Sequence, residues 1–254
     1  MQEANRQRRI LEVLEQRGSV TVADLGDLLR TTVAKIGRDL AYLEERGRLQ
    51  RVRGGAVRID RAMELAFGQR SRRSLTEKRR IAKRAVEEFV SEGATLLIEG
   101  STTCAELLPF LRTSWLTLHS NNLPVLSRVY AAHRHITVHS CGGMVSQISG
   151  NCVGQEAVAY FGRMHADVFF MSATGMDLPS GRLTDPNPIE TEVTRAMAAA
   201  AEKVVLLLDA SKLNVVSVAE ILPVSEVTCI ITDSRATERQ RRQLRKLGPR
   251  LIVV

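Results

Sequence analysis

The sequence predicts an α/β protein in two parts: a small unit of three helices and a hairpin, then a larger, mostly parallel sheet. Three observations predict it. Within the first sixty of 254 residues, apolar positions recur three times with helical period, then alternate like strands around a Gly-Gly pair. From Ala94 onward, seven short apolar runs alternate with helix-patterned stretches, the order that builds a parallel sheet covered on both faces. Charge is divided the same way. Residues 1–80 carry 19 Lys and Arg against 11 Asp and Glu, and the remainder carries 17 of each, so the whole net charge of +8 lies in the first third.

In the first part, Ile10, Leu11 and Leu14 share one face of a helix that Gly18 can end. Thr21 can cap a second helix, with Asp24 in its first turn and Leu25, Leu28 and Leu29 as its inner face. Thr32 can cap a third, whose Ile36, Leu40 and Leu43 recur at i, i+4 and i+7 before Gly47. Leu49 to Arg53 alternates, Gly54-Gly55 supplies a tight turn, and Ala56 to Ile59 returns. This is the plan of a winged helix-turn-helix over residues 1–59. Its third helix turns Thr32, Val33, Lys35, Arg38 and Tyr42 outward, where such a helix enters a major groove. Arg51 and Arg53, beside Gly54 and Gly55, stand where a wing meets backbone phosphates. A positive surface suits a polyanion because binding releases condensed counterions. The alternative reading is a packing unit with a solvated basic face.

Residues 60–76 lack a firm pattern and are expected to form a partly helical linker, with Arg70, Arg72 and Arg73 either supplementing DNA contact or solvated. A helix carrying Ile81, Ala85 and Phe89 is expected from Glu77 to Gly93. The second domain is expected over 77–254. Its strands fall at 94–98, 116–118, 136–138, 167–171, 204–208, 227–231 and 251–254, with helices around 105–111, 124–132, 190–201 and 238–247. Ligands of such sheets bind beyond the carboxyl ends of the strands, and small or polar residues cluster there. Glu99-Gly100-Ser101-Thr102-Thr103 follows the first strand. The others are followed by Ser120-Asn121-Asn122, Cys141-Gly142-Gly143, Thr174-Gly175-Met176-Asp177 and Asp209-Ala210-Ser211-Lys212. Carboxylates and amides suit hydroxyl groups; lysine, backbone N–H groups and a helix start suit phosphate.

Both halves resemble the DeoR family of bacterial regulators over residues 8–254. Ile36-Gly37-Arg38-Asp39-Leu40, then Leu43 through Gly47 to Ala56, matches the family's DNA-binding string, with Gly37 in place of its usual arginine. The 99–103 loop, Ser120-Asn121-Asn122, Gly142-Gly143, Gly175-Met176-Asp177 with Gly181 and Thr184, Asp209 to Lys212, and Ile231-Thr232-Asp233 match its sensor domain. There Glu99 replaces the usual aspartate. The resemblance implies a sensor fold similar to ribose-5-phosphate isomerases and coenzyme A transferases. It also implies a repressor of a carbohydrate-metabolism operon, released from double-stranded operator DNA by a phosphorylated sugar. The effector residues it points to are Glu99, Gly100, Ser101, Thr102, Thr103, Asn121, Asn122, Gly142, Gly143, Gly175, Asp177 and Lys212. A homo-oligomer, dimer or tetramer, is expected. The alternatives are an activator with the same ligand class, or an isomerase-like enzyme using Glu99, Asp177 or Asp209 to move a proton.

No apolar run reaches the roughly 18–20 residues of a membrane span, and the basic N-terminus does not read as a signal peptide, so a cytoplasmic protein is expected. No cofactor or metal is expected. Cys104, Cys141, Cys152 and Cys229 form no C-x-x-C pair, and His133, His135 and His139 have no acid or thiol at clear ligand spacing.

Overall fold

The computed structural model describes residues 3–17, 19–46, 48–52, 54–57, 71–112 and 115–254, and the chain divides into two compact units, Met1–Gln69 and Arg70–Val254. In the first unit, α1 (Glu3–Arg17), α2 (Val22–Leu28) and α3 (Val33–Glu45) close on Ile10, Leu14, Leu25, Leu29, Ile36 and Leu40. Thr21 caps α2 as its sequence implies, its Oγ1 accepting from Asp24 N at 3.0 Å. Thr32 takes the extended cap conformation, but its hydroxyl makes no cap bond. Leu28, expected inside, is 46% exposed; the inward pair is Leu25 and Leu29, one helical turn apart.

The hairpin of β2 (Gln50–Val52) and β3 (Gly55–Val57) gains a strand that the sequence did not announce, β1 (Ser19–Thr21), in the antiparallel order β1-β3-β2. Gly55 lies opposite Thr21, where a Cβ would come 2.1 Å from Val20 O, so the close approach of the strands demands glycine. Gly54 turns with φ of 81°. Gly18, Gly47, Arg53, Ile59 and Arg70, all named from the sequence, and residues 60–70 of the expected linker fall outside the described residues.

The second unit opens with α4 (Leu75–Phe89), the helix that Ile81, Ala85 and Phe89 lead one to expect from Glu77, starting two residues earlier within the partly helical linker. All seven expected strands form one parallel sheet: β4 (Thr95–Ile98), β5 (Leu116–Ser120), β6 (Ile136–Ser140), β9 (Ala166–Met171), β12 (Ala201–Leu207), β14 (Cys229–Thr232) and β15 (Arg250–Val253). Their order is β15-β14-β12-β9-β4-β5-β6. Phe169, Phe170, Leu97 and Leu206 are fully buried in it, as two-sided burial requires. Helices α5 (Leu123–Ala132), α6 (Gln155–Phe161), α7 (Pro188–Ala199) and α8 (Glu238–Lys246) follow strands β5, β8 (Cys152–Val153), β11 (Arg182–Asp185) and β14.

The helix expected at 105–111 is instead a 3-10 helix over Cys104–Phe110. Pro109 stands inside it, and a proline there keeps the segment from running as an α-helix. The small antiparallel pieces carry too few residues for a period to show in sequence. They are β7 (Met144–Val145) with β8, and β10 (Gly175–Asp177), β11 and β13 (Ala219–Pro223) in the order β10-β11-β13.

Candidate functional site

The outward face of α3 forms the first candidate surface. Thr32, Lys35 and Arg38 are exposed, and Val33 is 62% exposed. Tyr42 carries the Arg46 guanidinium 4.4 Å above its ring. Arg51 is exposed on β2, its backbone N–H held by Glu44 Oε1 at 2.8 Å. The inner side of the same helix is locked. Asp39 is buried, accepting from Arg6 Nε and, at 3.0 Å, Arg6 Nη2, while Gln7 Nε2 lies 3.2 Å away. That bond raises the Arg6 pKa further, so the guanidinium stays charged. No sequence pattern singled out Arg6. A Cβ at Gly37 would meet open space, so a longer side chain fits there.

The second candidate is a cleft of about 290 Å³ in the other unit. From β4 the chain runs outward through β5 to β6, then returns to β9 on the other side of β4 and continues to β15. The carboxyl ends of β4 and β9 are therefore a topological switch point, where neighbouring loops diverge and leave a crevice. Glu99 to Thr102 follow β4, Ser172 to Thr174 follow β9, and Asp209, Ser211 and Lys212 follow β12. All line the cleft with Asp185, Glu190, Ser149, Asn151, Arg73 and Lys78.

Its polar groups interlock. Ser172 N donates to Glu99 Oε2 at 2.7 Å, and Lys212 Nζ donates to Ser172 Oγ at 2.8 Å. Lys78 Nζ donates to Thr102 Oγ1 at 2.9 Å, and Ser101 Oγ accepts from Cys104 N at 3.0 Å, keeping its own proton to donate. Glu190 accepts from Ser149 Oγ at 2.7 Å and from Asn151 Nδ2 at 2.8 Å, and Asn151 Oδ1 accepts from Asn122 Nδ2 at 2.8 Å. Asp233 Oδ2 accepts from Ala210 N at 2.7 Å, setting the turn that carries Lys212. Burial works against that carboxylate, yet Arg235 and the backbone N–H groups hold its pKa below the usual value.

Withdrawal from water pushes the Glu99 carboxyl up to about 8. Asp185 and Glu190 add to the rise, while the Ser172 N–H and Lys212 oppose it. Near neutral pH Glu99 is thus largely protonated, able to donate to a ligand oxygen as well as accept.

The structure brings together Glu99, Gly100, Ser101, Thr102 and Lys212 of the expected effector residues. It places the others elsewhere. Thr103 and Asn121 are buried beside the cleft, not in its lining. Asn122 caps α5 through Val125 N and positions Asn151 from behind. Gly142 and Gly143 make the positive-φ turn before β7. Gly175 packs against the Val215 backbone, and Asp177 Oδ2 accepts from Ser180 Oγ in the β10–β11 turn. The Gly-Ser-Thr turn leads into the 3-10 helix, so no α-helix start backs it as expected. Sequence reasoning missed Glu190, Asn151, Asp185 and Lys78. Each lies outside a strand-end string, although Glu190 in the first turn after Asn187-Pro188 was a readable signal.

His139 stacks on His119 with ring centroids 4.5 Å apart, not on His135, which meets His133 edge-on at 5.7 Å. Among the described residues no group of three His, Cys, Asp or Glu could hold a metal ion. Burial raises the thiol pKa of Cys104 and pushes Cys141 up to about 12, which keeps both protonated and unreactive. No described helix is long and apolar enough to cross a membrane.

A model described as the DeoR-like helix-turn-helix domain matches residues 6–62, and one described as the DeoR C terminal sensor domain matches residues 73–234. The HTH-type transcriptional regulator GolR of Listeria innocua is 32% identical over 250 residues, covering 96% of this chain and 95% of its own length. The putative aga operon transcriptional repressor of Escherichia coli O157:H7 is 28% identical over 254 residues, covering 99% and 94%. Among solved structures, ribose 5-phosphate isomerase A of Methanocaldococcus jannaschii overlaps 55% of each chain with a TM-score of 0.40 at 16% identity.

Proposed function

The chain belongs to the DeoR family of DNA-binding transcriptional regulators, and on that basis we propose that it represses a carbohydrate-metabolism operon and is released by a phosphorylated sugar. The observation that carries this reading is the mixed charge of the cleft. Arg73, Lys78 and Lys212 share about 290 Å³ with Asp185, Glu190 and Asp209, beside the largely protonated Glu99. A small molecule with one anionic end and several hydroxyls meets both sets; a plain anion or a plain polyol meets only one. Arg73 is exposed at the rim, which suits it to a phosphate entering from solvent.

DNA binding rests on the α3 face, with Thr32, Val33, Lys35, Arg38 and Tyr42 toward the groove and Arg51, Arg53 and the Gly54-Gly55 turn on the backbone. A symmetric dimer or tetramer in the cytoplasm presents paired α3 helices to repeated half-sites. The effector prefers one arrangement of that oligomer and lowers DNA affinity by its difference in affinity for the two. The name of the aga operon relative favours repression over activation. Isomerase chemistry is not favoured, because the relatives spanning nearly the whole chain are named as regulators.

A thermal-shift screen against paired phosphorylated and free sugars tests the effector class. At about 100-fold excess over Kd a true effector adds about 2.7 kcal/mol of stability, roughly 5 °C or more in Tm. A shift with one phosphosugar and none with its free sugar is expected. A shift with free sugars alone, or with no phosphosugar, would overturn the effector class and leave the family assignment standing.

A further inference from the structure

Helix α8 is anchored by one buried side chain, Leu244, and by a reciprocal cap between Thr237 and Gln240. The rest of it is cationic, with Arg239, Arg241, Arg242, Arg245 and Lys246 against Glu238. Two of the five are engaged locally. Arg245 Nη1 lies 3.2 Å from Glu238 Oε1, and Arg241 Nη2 donates to Ser234 O. Arg239, Arg242 and Lys246 are exposed and have no ion-pair partner among the described residues. They stand at i, i+3 and i+7 on one face and, with Gln243, line a concavity of about 340 Å³.

Helix stability does not account for this arrangement. Cations favour the last turn of a helix, which covers Arg245 and Lys246, but Arg239 sits in the first turn, where positive charge is unfavourable. Arg239 and Arg242 at i,i+3, and Arg242 and Lys246 at i,i+4, repel one another along the face. Nor does a general basic surface account for it, since residues 81–254 carry 17 basic and 17 acidic side chains. Three like charges gathered over about 10 Å of helix are relieved by a partner with repeated negative charge. Duplex DNA, with one charge per about 1.7 Å of axis, supplies one.

We propose that the Arg239–Arg242–Lys246 face of α8 is a second DNA-contacting surface, holding phosphates that flank the operator without reading sequence. It rests on the chain being a DNA-binding regulator, and it adds a surface that lies outside the helix-turn-helix unit.

The test compares the full-length protein with R239Q/R242Q/K246Q. Affinity is measured by fluorescence anisotropy across a salt series, on a short duplex limited to the binding site and on a longer one with flanks. Each phosphate left without its cation lowers the slope of log K against log salt by about 0.9. The triple variant is expected to lose up to about 2.7 in slope on the long duplex and little on the short one, with unchanged Tm and elution volume. R239K/R242K, which keeps the charges, is expected to retain the slope. Equal slopes for wild type and triple variant on the long duplex would overturn the proposal. So would weaker binding that tracks a change in elution volume, which would make the face a junction between copies. R38A in the same series reports on the α3 surface separately: if it alone leaves DNA affinity unchanged, the recognition-helix reading fails and not this one.

Discussion

The outer face of α3 and the cleft at the ends of β4 and β9 hold their polar side chains in opposite ways. On α3, Lys35 and Arg38 project into solvent from a backbone fixed by the buried Arg6–Asp39 pair, and neither of these two side chains ties one element to another. In the cleft, Glu99, Lys212, Lys78, Glu190 and Asn151 hydrogen-bond to side chains or backbone from other elements, so the lining is also part of the frame. The first surface can be changed without disturbing the fold. A change in the second is felt by both binding and stability.

The sharpest way to break that contrast is Gly100→Ala. A Cβ there would stand 2.0 Å from Asn151 Oδ1 and 2.5 Å from Asn122 Nδ2, forcing apart two bonded amides of which Asn151 holds Glu190. A loss of about 2–3 kcal/mol in urea unfolding is expected, together with the ligand response. A stable, ligand-responsive variant would show that the cleft is not built as described.

Arg38→Ala should do the converse. DNA affinity should fall about tenfold, within the roughly 1–3 kcal/mol of a good base contact, while stability changes by less than about 0.5 kcal/mol. Unchanged DNA affinity would remove this helix from the interface.

Glu99→Gln separates the charge of the cleft from its shape. Because the folded-state pKa is raised to about 8 from the ordinary 4.5, the folded protein keeps a proton that the unfolded chain releases between those values. Stability contributed by this group is therefore fully present below about pH 4.5 and is lost as pH rises through 8. The variant should melt like wild type near pH 4.5 and on the order of 5 °C higher at pH 9. A gap that does not widen with pH would contradict the buried-acid account.

The smallest effect is expected at Gly37→Arg. The position is open, and removing a mid-helix glycine should add about 1 kcal/mol of stability. Tighter operator binding, with a steeper salt dependence, should accompany it if this face lies on DNA.

The same contrast explains what the sequence revealed. Outward residues of α3 were legible because helical period alone separates Ile36, Leu40 and Leu43 from Lys35 and Arg38, and the seven parallel strands because each is a short run dominated by apolar and β-branched residues. Glu99, Gly100, Ser101, Thr102 and Lys212 were legible as strand ends. Asn151 and Glu190 were not, because they reach the cleft through a loop and a helix start whose place depends on tertiary packing. Gly142, Gly143, Gly175 and Asp177 drew attention as glycine-rich strings. In the structure they serve the turns and close approaches around β7, β10 and β11.

The division of labour between the two regions is tested most directly by one titration. Labelled operator bound to wild type, K212A or R38A is followed by anisotropy as the phosphosugar identified by thermal shift is added. The account predicts that K212A binds DNA like wild type but resists release, while R38A binds weakly and is released at the wild-type ligand concentration. Loss of both DNA binding and ligand response in each variant would contradict it.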